Sequence, residues 1–242
     1  MSDSMPDSMV GSLSEVVALI PIDARIIAVA GAVAAGKSTL SRNLAAQLTG
    51  LGRGVVTVVS TDGFLMPNCE LKQRGLLERK GFPESYDIKA LQHFVSAVRQ
   101  NQSAIAVPKY SHAVFDVVEG RTISAPHIVI IEGVNALQPD VAALADACIY
   151  LDAPDDAVIS WYTDRFVAFT EEARRTQHGF YVRFASLGPQ EVQAVAVHVW
   201  DTINGPNLDE HIRPTMAHAT IVVTKGLDHS IESIRQGSTG CV

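Results

Sequence analysis

The chain has 242 residues, of which 47% are hydrophobic and 19% charged, enough for one large domain with a buried core and too apolar for general disorder. Nineteen Lys and Arg stand against 26 Asp and Glu, a net charge of -7. That balance argues against a non-specific nucleic-acid binder, which needs a cationic face, but leaves room for a small anionic ligand held by a few cations and backbone N–H groups. No apolar run approaches the ~20 residues of a membrane span. The polar, acidic N-terminus lacks the basic segment of a secretory signal. Cys69, Cys148 and Cys241 form no CxxC pair, so neither a disulfide framework nor a zinc ribbon is expected. These features fit a cytoplasmic protein without membrane or nucleic-acid partners. Residues 1–12 read as a flexible tail and 13–242 as a single domain.

From residue 25 onward, short β-branched runs alternate with amphipathic helical patterns, as in a parallel sheet covered on both faces. Strands are expected at 25–30 (RIIAVA), 55–60 (VVTVVS), 127–131 (HIVII), 147–151 (ACIYL) and 220–224 (TIVVT). A helix over 37–48 carries Leu40, Leu44 and Leu48 on one stripe. A second follows Asp87, a candidate N-cap, with Ile88, Leu91, Phe94, Val95 and Val98 on one face. A strand pair around 107–118 follows, then helices over 154–169 and 189–202.

The strongest local signal is Gly31-Ala-Val-Ala34-Ala35-Gly36-Lys37-Ser38-Thr39, a GxxxxGK[ST] loop between an expected strand and an expected helix. The glycines let the loop wrap with its N–H groups inward, and the helix presents its positive end to a phosphate. Lys37 can reach the β/γ-phosphates of a nucleotide, and the Ser38 hydroxyl suits Mg²⁺. Glu132, at the carboxyl end of the apolar run 127–131, is a candidate second metal group, or else a strand-end carboxylate capping a loop. Asp62 follows another strand end and is either the base that accepts a proton from an attacking hydroxyl or an ordinary Asp-Gly turn residue. Tyr162, Phe166 and Phe169 recur at i, i+4 and i+7, a spacing more common in cores than in ligand pockets, and Arg165 beside them could stabilise charge on a transferred phosphoryl group. His112, in a Lys-Tyr-Ser-His string, is the one histidine in a visibly functional setting. Thr224-Lys225-Gly226-Leu227 begins like a guanine-specificity segment but lacks its Asp. The residues alone lead to a P-loop phosphotransferase acting on a small molecule, and no further.

Longer strings go beyond this. TDGFLMPN at 61–68, LKQRGLLERKGFPESYDIKA at 71–90, VPKYSH at 107–112, WYTDRFVAF at 161–169 and TINGPN at 202–207 together resemble the bacterial type I pantothenate kinases over roughly 26–225. The resemblance implies a three-layer P-loop NTPase fold, with a mostly parallel sheet flanked by helices. It also implies ATP- and Mg²⁺-dependent phosphorylation of the terminal hydroxyl of pantothenate, feedback by coenzyme A, and a homodimer. By position, Lys37 and Ser38 match the P-loop, Asp62 the family's proposed base, and Arg165 the arginine that supports transfer. Tyr110 and His112 match pocket residues, Tyr162 and Asn204 groups that hydrogen-bond pantothenate, and Phe166 and Phe169 aromatic walls of its pocket. Two departures stand out: Phe115 occupies a position that is usually Tyr, and the chain begins close to its first strand, as a short, N-terminally trimmed member would.

Overall fold

The structure, a computed structural model, describes residues 11–237. Ten of the twelve residues read as a tail therefore lie outside the described residues. Of the other two, Ser12 caps the first helix, α1 (Leu13–Leu19), by accepting from the Glu15 N–H. β1 (Ile26–Gly31) is buried at every position, as a strand covered on both faces must be. It leads through the P-loop into α2 (Lys37–Gly50). β2 (Val56–Ser60) runs into a 3₁₀ turn (Thr61–Phe64), and three short helical pieces follow, α3 (Asn68–Gln73) and 3₁₀ turns over Leu77–Arg79 and Pro83–Ser85. α4 (Ile88–Arg99) is capped by Asp87, whose carboxylate accepts from the Ala90 N–H at 3.0 Å. Its buried side chains are Leu91, Phe94, Val95 and Val98, while Ile88 is half-buried.

β3 (Ile105–Ser111) and β4 (Asp116–Ile123) form a separate antiparallel hairpin. β5 (Ile128–Glu132), α5 (Pro139–Ala142), β6 (Ala147–Asp152) and α6 (Asp155–Thr176) follow. α7 (Pro189–Val199) passes into a π-helical stretch, Trp200–Asn204. β7 (Ile221–Lys225) and β8 (Ile231–Gln236) complete the central sheet.

Strand order is β2-β5-β1-β6-β7-β8; all neighbours are parallel except the β7/β8 pair. From β1 the chain passes over to β2 on one side, whereas β6 lies on the other. The carboxyl end of β1 is thus the point where open α/β sheets leave a crevice for ligands. Leu44 and Leu48 of α2 are fully buried against the sheet, worth ~1.5–3 kcal/mol each. The main differences from the expected elements lie at edges and ends. α1 and β8 pass without a strong pattern because they lie at the margins of the sheet. α6 runs seven residues beyond the expected end at Phe169, since Thr170 and Ala173 still have a buried face to occupy. Of the cysteines, Cys69 carries a free, exposed thiol. Cys148 is disulfide-bonded, which the spacing of the cysteines did not suggest.

Candidate functional site

The P-loop takes its shape from backbone conformations that few residues tolerate. Gly36 is left-handed (φ 96°) at the N-cap of α2, and Ala34 also has positive φ (65°), which costs a non-glycine residue of order 1–3 kcal/mol. The loop is tied from both sides: Lys37 Nζ donates to Ala32 O (2.8 Å) and Lys225 Nζ to Ala35 O (3.0 Å). Lys37 is buried, and burial pulls its pKa down from 10.5 to about 8; Glu132 and Asp62 partly counteract this, and Arg165 adds to it.

Parallel pairing brings the end of β5 level with β2, so Glu132 lies opposite Ser60. Ser38 Oγ donates to Glu132 Oε1 at 2.9 Å. Gly133 has φ 159°, and a Cβ there would lie 1.7 Å from Thr61 Oγ1, so only glycine lets the turn carrying Asp62 approach so closely. Asp62 combines a turn backbone with a carboxylate open to the cavity. Its N–H donates to Ser60 Oγ (3.3 Å) in the turn, while its carboxylate lines the cavity and accepts from the Tyr86 hydroxyl (3.2 Å).

One cavity of about 550 Å³ is lined by Ala34, Gly36, Lys37, Ser38 and Thr39 of the loop together with Asp62, His112, Glu132 and Arg165. Arg165 Nη2 lies 3.4 Å from His112 Nε2. Since a guanidinium can only donate, this contact requires an unprotonated Nε2 on His112. Burial, and then the charge of Arg165, lower the His112 pKa below its ordinary value, with Asp62 opposing. His112 stacks on Phe169 at 5.9 Å and meets the edge of Tyr110 at 5.2 Å.

The remaining anticipated residues divide. Gly31 and Ala35 shape the loop without lining this cavity. Tyr162 packs against Trp200 and Phe166. Burial pushes its hydroxyl pKa up to about 12, with the nearby Asn204 amide acting in the opposite sense. Asn204 ends the π-helical stretch, whose wider turn carries it toward Tyr162. Phe166 is 4% exposed and packs with Val192 and Ala196 in a small satellite core, so its spacing did mark a core position. Phe169, half-buried against His112, faces the site. Phe115 stacks on Phe180 at 4.1 Å and, with φ 56°, closes the β3–β4 turn over α6's end, where the Phe180 N–H donates to Ala113 O (2.7 Å).

Several site residues escaped the sequence reading. Tyr86 and Asn135 reach the site from separate loops. Lys80 donates to Asn68 Oδ1 and Phe115 O (2.6 Å each) below the Tyr110 and Phe115 rings. His229 stacks on Trp161 at 4.0 Å beside Lys225. The segment set aside as an incomplete guanine motif thus reaches the site through Lys225. A larger hollow of about 680 Å³ opens at the other end of the sheet. Its Arg25 and Arg53 are hydrogen-bonded to backbone carbonyls, and none of the residues lining the first cavity lines it.

A loop whose lysine and serine meet a strand-end glutamate beside an aspartate and an arginine can hold a nucleotide triphosphate and activate a hydroxyl. The fold and site define a P-loop phosphotransferase. The model of the phosphoribulokinase / uridine kinase family matches residues 26–168. Pantothenate kinases of Shewanella sp. (strain ANA-3) and Nocardioides sp. (strain ATCC BAA-499 / JS614) are 43% and 42% identical to it, over 86% and 87% of this chain and 71% and 68% of theirs. The chain belongs to the phosphoribulokinase / uridine kinase family and, at this level of identity, to the pantothenate kinases. Solved relatives agree in fold alone. The D-glycerate 3-kinase of Cryptococcus neoformans (TM-score 0.65, 12% identity) is covered over 99% of its length and 93% of this chain, and phosphoribulokinase of Rhodobacter spheroides (0.51, 14%) over 71% and 85%.

Proposed function

We propose that the protein transfers the γ-phosphoryl group of ATP to the terminal hydroxyl of pantothenate. The observation that carries the reading is the convergence of Lys37, Ser38, Glu132, Asp62 and Arg165 on one cavity. Asp62 takes the hydroxyl proton as the oxygen–phosphorus bond forms, and the bond from the γ-phosphorus to the bridging oxygen breaks to release ADP. Lys37 and Arg165 balance charge on the transferred group.

The Ser38 hydroxyl and Glu132 carboxylate are hard oxygen donors already 2.9 Å apart, a pair suited to Mg²⁺ shared with substrate phosphates. When bound, that ion supplies charge neutralisation across the phosphates. Among the described residues no group of three His, Cys, Asp or Glu side chains could hold a metal by itself.

Tyr110, His112, Tyr162, Asn204 and Phe169 form the acceptor pocket, with Phe166 supporting it from the satellite core. By the same kinship, coenzyme A is the candidate feedback inhibitor and a homodimer the candidate assembly. No helix among the described residues is long and apolar enough to cross a membrane. An acceptor panel with labelled ATP, comprising pantothenate, glycerate, a nucleoside and a sugar phosphate, tests the reading. Pantothenate is expected to be preferred, and label transfer to another acceptor with none to pantothenate would overturn it.

A further inference from the structure

The most specific string in the sequence, GFPESYD at 81–87, has no part in the transfer proposed above, yet its Tyr86 reaches Asp62. Its chain is locked to the Asp62 turn: the Met66 N–H donates to Ser85 O (2.9 Å), the Asp87 N–H to Phe64 O (2.7 Å), and Leu65 pairs with Tyr86 in an isolated antiparallel bridge. Its start is fixed as well. Gly81 O accepts from both Asn135 Nδ2 (2.9 Å) and Asn207 Nδ2 (3.1 Å), and the Gly81 N–H donates to Ser85 Oγ (3.0 Å). This bracing sets the Tyr86 hydroxyl, on a side chain 5% exposed, against Asp62 Oδ1, to which it donates at 3.2 Å, with the side chains of Asn135 and Thr61 beside it.

We propose that Tyr86 is a positioning residue for phosphoryl transfer, its hydroxyl holding Oδ1 of Asp62 so that the other carboxylate oxygen meets the acceptor hydroxyl. Burial, with the charge of Asp62 second, raises the phenol pKa well above its ordinary value, so the hydroxyl keeps its proton and can serve the carboxylate only as a donor. A carboxylate on a short turn has a free χ2 rotation, and a single fixed donor removes most of it. Tyr86 touches no substrate in this arrangement; it acts through Asp62. The inference therefore rests on Asp62 as the base.

A double-mutant cycle tests it, with Y86F, D62N and Y86F/D62N compared at saturating MgATP and pantothenate and unfolding midpoints measured alongside. Y86F is expected to lower kcat about 10- to 100-fold, with both KM values within about twofold. In the D62N background the same substitution is expected to change kcat less than about twofold, because the group through which it acts is gone. Equal losses in both backgrounds, or loss of the fold in Y86F, would assign the hydroxyl to general stability and overturn the proposal. Unchanged kcat in Y86F while D62N is impaired would overturn it alone; an unimpaired D62N would remove the base assignment itself.

Discussion

Replacing Lys37 by Met should make the nucleotide-free protein more stable while abolishing its function. Lys37 is 8% exposed, and the folded environment lowers its pKa from 10.5 to about 8. A lowering of that size corresponds to ~3 kcal/mol of unfavourable charge burial at pH 7. Losing the hydrogen bond to Ala32 O, at 2.8 Å, returns ~1 kcal/mol of that, leaving a net gain of ~2 kcal/mol in K37M. The pH dependence identifies the cause. Because the folded-state value lies below the unfolded one, the unfolded chain binds more protons between them, and wild-type stability from this group rises with pH across about 8 to 10.5. The cost to the wild type thus falls by ~1 kcal/mol between pH 7 and pH 9, and the K37M advantage narrows with it. Urea unfolding of both proteins without nucleotide at pH 7, 8 and 9 measures this. A K37M protein less stable than wild type at pH 7, or a difference that ignores pH, would refute the reasoning. Adding MgATP should stabilise the wild type and leave K37M unmoved.

Three other outcomes follow from the site. Protonation of His112 would turn Nε2 from an acceptor into a second donor facing Arg165, so kcat should fall as pH drops below the ordinary histidine range, and H112Q, which offers an acceptor that does not titrate, should lose that acid limb. S38A should raise the Mg²⁺ concentration needed for half-maximal rate by about tenfold or more, read from Mg²⁺ titrations at fixed ATP. F115A removes the stack on Phe180, worth ~1 kcal/mol, and should raise the KM for pantothenate about fivefold while kcat changes little.

Much of this was legible in the chain because it rests on local patterns. The strand–loop–helix around Gly31–Thr39 carries its chemistry in consecutive residues, and Leu40, Leu44 and Leu48 announce the buried face of α2 by spacing alone. Glu132 could be found because a run of buried β-branched residues must end at a sheet edge. Asp62 stayed divided between turn and base in the sequence; the fold puts its backbone in the turn and its carboxylate on the cavity wall, where the proposed base would have to stand. Tyr86, Asn135 and Lys80 carry no spacing signal. Their positions depend on hydrogen bonds between residues 12 to 126 positions apart, such as Lys80 to Asn68, Tyr86 to Asp62 and Asn207 to Gly81. The aromatic stripe of α6 shows the limit of periodicity most clearly: Phe166 turns into the satellite core and Phe169 toward His112, though one helical face carries both.

The central claim is that ATP phosphorylates pantothenate with Asp62 as the base. Wild type and D62N incubated with MgATP and pantothenate, with phosphopantothenate and ADP quantified together by mass spectrometry, test it most directly. The account predicts one ADP per phosphopantothenate in the wild type and a rate about 10²- to 10⁴-fold lower in D62N, with ATP still bound. An equal rate in D62N, or ADP release without phosphopantothenate in the wild type, would contradict it.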